Sequence, residues 1–317
     1  MCIALISTAH PSYPLIIINN RDEYLHRPTS PANYWPEPNT HILGGRDLAR
    51  STHGTWMGVS ISGKIAVLTN YREKTSDEAT GNKSRGTIVN GWLTLPPSER
   101  TPTLDFVSGM VNSPEARNVG GFSLVCGYVG EPLAIVSNRS EDVESVSWVA
   151  KERGETRGLS NTTFEDRSWP KILEGERLME ELIGRHGGAG GAGEEEDRLI
   201  DGFLDLLSKN TLPELGEDAT AEDYLPFFRQ SIFIPLLGRK EDEVRAKAAA
   251  ARGSEVGGDD SLDRSYLHGS YGTQKQTVIL VRQDGTVRYF ERTLYDNDAK
   301  PVPTGEGDRS FEFPVSK

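Results

Sequence analysis

Cysteine is nearly missing from this sequence. Only Cys2 and Cys126 occur among 317 residues, which excludes the disulfide framework of small secreted domains and fits a reducing, cytosolic compartment. Positive charge is also short: 35 Lys and Arg stand against 47 Asp and Glu, a formal charge of −12. The chain therefore lacks the excess of cations that nonspecific binding to nucleic acid or to anionic lipid headgroups requires. No apolar run approaches the ~20 residues that span a bilayer, so any action at a membrane is expected to be peripheral. The first apolar run is broken by His10, Pro11 and Pro14 and has no basic leader, unlike a secretory signal. The six histidines, His10, His26, His41, His53, His186 and His268, are scattered without metal-ligand spacing. No metal and no resident cofactor are expected, and no dedicated haem motif is present. No repeat period is visible.

What the chain has is short β-branched runs in pairs. Residues 3–6 and 15–18 flank the turn-rich His10-Pro11-Ser12-Tyr13-Pro14, which predicts a hairpin covered on both faces. Residues 55–61 and 64–70 pair through Ser62-Gly63, and 122–128 pairs with 132–138 through Gly130-Glu131. The last pair, 276–281 and 286–292, turns at Gln283-Asp284-Gly285. Helical spacing follows Ser84-Arg85-Gly86 and begins again at Leu104. A longer helix is expected from Ser168 as cap through Pro170, Ile172, Met179, Leu182 and Ile183, and another around Leu199, Phe203, Leu206 and Leu207. The glycine run 187–193 and the charged, Ala- and Gly-rich stretch 239–264 read as flexible insertions in one domain spanning 1–317, the second partly helical at 241–252. Strands with no polar face need cover on both sides, so paired hairpins with two helical groups predict an α+β fold, a four-layer αββα sandwich.

Chemistry is concentrated at the beginning. Residue 2 is small enough for removal of Met1 to leave a thiol and a free α-amine on one residue, with ordinary pKa values near ~8.5 and ~7.7–8.0, close enough to exchange a proton. That is the logic of N-terminal-nucleophile hydrolases. The other reading of Cys2 is a small buried hydrophobe, as Cys126 in mid-strand is expected to be.

The motifs Met1-Cys2-Ile3, Asn20-Arg21-Asp22-Glu23, Gly54-Thr55-Trp56-Met57-Gly58, Thr69-Asn70-Tyr71, Gly158-Leu159-Ser160-Asn161 and Tyr271-Gly272-Thr273 occur in this order across nearly the whole chain. Together they resemble the NRDE family, that of the transport and Golgi organisation 2 proteins. The resemblance implies a cytoplasmic protein, Golgi-associated or mitochondrial in the variants it leaves open. Golgi organisation and protein secretion are the implied role, through handling of a lipid-like molecule, acyl-coenzyme A or haem. The family is in turn similar to choloylglycine-type amidases, which share the αββα fold and an N-terminal cysteine nucleophile.

Carried onto this chain, the amidase pattern makes Cys2 the nucleophile, Asn70 a donor to the oxyanion, Asn161 an orienter of amine or substrate, Arg21 a stabiliser of the thiolate and Asp22 the partner of the α-ammonium. Here Arg21 and Asp22 are adjacent, whereas the amidases separate theirs by two residues. In a regular strand Asn20 and Asp22 share one face and Arg21 and Glu23 the other, unless a bulge intervenes. An ion pair of Arg21 with Asp22 or Glu23 that only holds the hairpin end is the competing reading, as turn capping is for Asn70 and Asn161. Trp56 is expected in the core or a pocket wall. Lys171, a cation in the first turn of a helix, opposes the macrodipole and calls for a compensating anion unless it is solvated. In the segment 271–274, read as a loop, Gln274 stands where the family tends to carry Arg, which weakens an anion-binding role. Two further functions remain: a thiol hydrolase of amides or acyl thioesters, and a secretory-pathway interaction protein without a small-molecule ligand, docking through 239–264.

Overall fold

The computed structural model describes residues 1–71, 84–117, 119–187, 193–216, 218–238, 266 and 269–315. The interior of the glycine run and the stretch 239–264, both expected to be flexible insertions, lie outside the described residues. The strands are β1 (Ile3–Ser7), β2 (Leu15–Tyr24), β3 (Thr29–Tyr34), β4 (Ile42–Asp47), β5 (Met57–Ser60), β6 (Lys64–Asn70), β7 (Phe122–Tyr128), β8 (Leu133–Ser137), β9 (Ser147–Val149), β10 (Thr156–Leu159), β11 (Tyr271–Val281), β12 (Thr286–Thr293) and β13 (Asp308–Pro314). The helices are α1 (Gly86–Leu93), α2 (Thr103–Val111), α3 (Pro114–Arg117), α4 (Pro170–His186), α5 (Glu194–Leu207) and α6 (Ala221–Tyr224).

Two antiparallel sheets result, one ordered β10-β1-β2-β11-β12-β13 and the other β3 through β9 in chain order. Alternation along β1 and β2 divides their side chains between two layers. Ala4, Ile6, Leu15 and Ile17 join Val59, Val67, Val125 and Ile135 in the core between the sheets. Ile3, Leu5, Ile16 and Ile18 pack outward against Met179 and Ile183 of α4 and Phe203 and Leu207 of α5. On the far side Ala66, Leu68, Leu124 and Cys126 meet Val89, Trp92 and Leu93 of α1 and Val107 of α2. This is the expected αββα sandwich, and each fully buried Leu, Ile or Val contributes about 1.5–3 kcal/mol to it.

Two local expectations need correction. Ser168 does not cap α4. Trp169 is the N-cap with no side-chain hydrogen bond, Pro170 opens the helix, and the Ser168 backbone N–H instead donates to Asp166 Oδ1 at 2.9 Å. The segment 271–274 is not a loop but the start of β11, paired with β2 from Tyr271↔Tyr24 to Thr273↔Asp22, with a register shift before Lys275↔Arg21. Gln274 is the extra residue, so a bulge does occur beside Arg21 and Asp22, in the partner strand.

Candidate functional site

The chain starts inside a polar cluster at one end of the two sheets. β2 carries residues 20–23 past the first residues of the chain, and Ile3 pairs with Asn20. The α-ammonium of Met1 lies 3.3 Å from Asp22 Oδ2 and donates to the Tyr271 hydroxyl. Asp22 Oδ1 accepts from Thr273 Oγ1 at 2.7 Å. Lys171, in the first turn of α4 and fully buried, donates from Nζ to the Met1 carbonyl at 2.8 Å. The compensation that its place in the helix demands comes from this corner. Its pKa is pushed down to about 8 by burial, against the fields of Asp22 and Cys2.

Cys2 is buried, and its thiol donates a long contact of 3.8 Å to the Asp22 carbonyl. Burial raises the thiol's pKa, with the neighbouring amine opposing, and lowers that of the amine, with Asp22 opposing. In this surrounding the neutral thiol–amine pair is favoured over the ion pair, because desolvation penalises both charges. The turn after β10 closes the corner. Ser160 Oγ donates to the Cys2 carbonyl at 2.7 Å, while the Ser160 carbonyl accepts from Thr69 Oγ1 at 2.8 Å. Asn161 Nδ2 donates to the Asn70 carbonyl at 2.5 Å. Asn161 thus ties the two sheets together beside Cys2 and meets Asn70's backbone, not the terminal amine.

Alternation in β2 is kept. Asn20 and Asp22 face the helices, where Asn20 donates to the Leu207 and Ile232 carbonyls. Arg21 turns between the sheets. Its guanidinium lies 4.6 Å over the Trp56 ring, donates to Gln274 Oε1 at 2.5 Å and sits 3.8 Å from Asp47 and 4.0 Å from Glu23. Its field lowers the Cys2 pKa only as the last of several causes. Asp22 therefore meets the terminal amine, and Arg21 joins a second network that Arg27 completes at 2.6 Å from Asp47. Trp56 is buried in the core between the sheets, as its apolar ring requires. Arg85, just before α1, is held near 10 by burial, with Glu23, Arg27 and Cys2 among the charges acting on it.

A family model described as Transport and Golgi organisation 2 matches residues 1–296. The chain belongs to that family. The Homo sapiens Transport and Golgi organization protein 2 homolog is 30% identical over 310 residues, 95% of this chain and 93% of that protein. An uncharacterized Saccharomyces cerevisiae protein is 27% identical over 99% of both chains. Among solved structures, a Caenorhabditis elegans ortholog of N-acylethanolamine-hydrolyzing acid amidase covers 73% of this chain and 98% of its own at 12% identity and a TM-score of 0.44. A mutant conjugated bile acid hydrolase from Clostridium perfringens covers 100% and 98% at 12% identity and a TM-score of 0.38. With likenesses that low, the chemistry of the family member described here has to be argued from its own residues.

Of the five residues singled out in the sequence, Cys2, Asp22, Asn161 and the backbone of Asn70 converge on one corner, and Arg21 lies on the other face of β2. Tyr271, Ser160 and Thr273 belong to that corner and were not assigned roles. Tyr271 and Met1 are 270 residues apart, and only the pairing of β2 with β11 brings them together. No group of three or more His, Cys, Asp or Glu positioned to hold a metal is found among the described residues. No helix among them is long and apolar enough to cross a membrane.

Proposed function

We propose that this protein serves Golgi organisation and secretion by hydrolysing an amide or acyl thioester, with Cys2 as the nucleophile once Met1 has been removed. The observation that supports this reading is the Met1 amine 3.3 Å from buried Asp22, one residue from the amine that removal of Met1 frees beside the Cys2 thiol. Such a carboxylate holds an α-amine in one orientation next to the thiol it serves.

In the step proposed, the Cys2 amine takes the thiol proton while sulfur adds to the acyl carbonyl. The Asn70 side-chain amide, at the end of β6, is the donor assigned to the tetrahedral oxyanion, the Asn161 amide being taken by the Asn70 carbonyl. The resulting ammonium returns its proton to the leaving amine or thiol as the bond to it breaks. Water then adds to the acyl-cysteine, the amine again accepting a proton, and collapse breaks the carbon–sulfur bond, returns that proton to the Cys2 sulfur and releases the carboxylic acid. Asp22 accepts from the ammonium form and holds it in place.

A second reading takes the same contact as it stands. With Met1 in place its amine occupies the Asp22 and Tyr271 contacts, and the thiol is held neutral by burial. That form suits a non-catalytic carrier of a lipid-like molecule, acyl-coenzyme A or haem. Intact mass of the purified protein distinguishes a terminal Met1 from a terminal Cys2. Turnover of decanoyl-coenzyme A and of an N-decanoyl amide is then compared between the native chain and Cys2→Ser. Loss of turnover in the variant supports hydrolysis, whereas a retained Met1 with turnover indifferent to Cys2→Ser leaves the carrier.

A further inference from the structure

The terminal amine lies 3.3 Å from Asp22, and Lys171, held by the Met1 carbonyl, stands in the field of the same carboxylate. The groups that act on the amine are Asp22 from β2, Tyr271 from β11, Lys171 from α4 and the adjoining Cys2. Tyr271 is a neutral phenol whose ionisation is pushed far up by burial, and the Cys2 thiol is likewise held protonated. Asp22 is therefore the one carboxylate of the set among the described residues, and its second oxygen is taken by Thr273.

Lys171 cannot turn to solvent, being fully buried. Its Nζ lies 2.8 Å from the Met1 carbonyl oxygen. That oxygen is about 2.3 Å from the nitrogen of residue 2 across the peptide, so Nζ lies within about 5 Å of the nitrogen that becomes terminal when Met1 leaves. A lysine at the second position of a helix works against the macrodipole, so helix stability does not account for it.

We propose that Lys171 is a positioning residue for the terminal amine: as a second buried cation drawing on Asp22, it keeps that amine the neutral base that accepts the Cys2 proton. The order of deprotonation follows from the ordinary values, 8.0 for the amine and 10.5 for lysine, so the amine yields first when one carboxylate cannot neutralise both. Lys171 is itself among the causes that lower the amine. The consequence for catalysis rests on the hydrolase reading; the titration does not.

The test is the pH titration of the terminal amine, read from pH 5 to 9 by the 13Cα chemical shift of the terminal residue in protein isotopically labelled at methionine and cysteine. The native midpoint is expected at least one pH unit below that of Lys171→Met, with Lys171→Arg restoring most of the difference by restoring charge. Equal midpoints in the native chain and Lys171→Met overturn the proposal. Should Lys171→Met fail to fold, Lys171→Gln, which keeps a donor for the Met1 carbonyl but not the charge, decides: its midpoint is expected at least one pH unit above the native value, and an unchanged or lowered midpoint refutes the idea. A midpoint that moves in a protein without turnover keeps this inference and rejects hydrolysis. Turnover whose acid limb in kcat/KM is the same in Lys171→Met rejects this inference alone.

Discussion

Replacing Lys171 by methionine is expected to stabilise the protein at neutral pH, even though the lysine makes a good hydrogen bond. Burial brings its pKa from 10.5 to about 8. That displacement corresponds to about 3 kcal/mol of penalty on the charged form. Methionine matches the lysine in length, packs readily and carries no charge to desolvate. The lost hydrogen bond to the Met1 carbonyl is worth about 1 kcal/mol, leaving a net gain of about 2 kcal/mol at pH 7. The folded protein releases the Lys171 proton near pH 8, whereas the unfolded chain holds it to 10.5. This group's contribution to stability is therefore complete above 10.5 and is lost as pH falls toward 8. The advantage of Lys171→Met should accordingly shrink by about 1 kcal/mol for each pH unit above 8. Urea unfolding of both proteins at pH 7, 8 and 9 measures the difference, in which all titrations cancel except those of Lys171 and of the terminal amine beside it, the latter being spent in the unfolded chain by about pH 8. A variant less stable than the native chain at pH 7, or a difference that stays flat to pH 9, would refute the electrostatic account.

Glu291→Ala should cost about 3–5 kcal/mol in urea unfolding, since it strands a buried lysine. Glu291 is fully buried, lies 3.2 Å from Lys275 and accepts from the Ala32 backbone of the other sheet at 2.7 Å. The double change Lys275→Met with Glu291→Leu should recover most of that loss, and no recovery would argue against a charge effect. At Gly45 an added Cβ would lie 2.6 Å from the Trp56 ring that supports Arg21. Gly45→Ala is therefore expected to lose about 1–3 kcal/mol through overpacking, and a thermal midpoint equal to the native value would show the ring is free to shift. Deleting residues 239–264 should leave the thermal midpoint level or slightly raised, because shortening a loop returns about 1–2 kcal/mol of closure entropy. The flanking chain is already together: Leu237 and Tyr271 exchange backbone hydrogen bonds at 2.8 Å. A large drop in the midpoint would mean that the segment packs against the core.

The four hairpins were legible because their strands carry apolar runs that end in turn residues. Gly63, Gly130 and Gly285 indeed adopt the positive φ such turns need. β3, β4, β9, β10 and β13 escaped for the opposite reason. They are short or polar, as in Asp308–Pro314, where only Phe313 is buried and the charged residues keep an edge strand from pairing further. Lys171 announced itself through its misfit with the helix dipole. What it touches could not be read, because the Met1 carbonyl is 170 residues away and reaches it only when β1 and α4 pack.

The adjacency of Arg21 and Asp22, which departs from the amidase spacing, becomes intelligible from the sheet itself. A strand end between two layers presents one residue to each, so neighbours in sequence serve separate networks. Asp22 turns toward α4 and takes the terminal amine, while Arg21 enters the space between the sheets and stacks on Trp56. The bulge at Gln274 adjusts the partner strand instead: its side chain accepts from Arg21, and Thr273 just before it donates to Asp22. A cation at position 274 would have faced Arg21 across that same contact, two like charges in a buried site with Asp47 and Glu23 already shared with Arg27. A neutral amide offers an oxygen there and spares the repulsion, so glutamine at 274 is fitted to the arginine beside it.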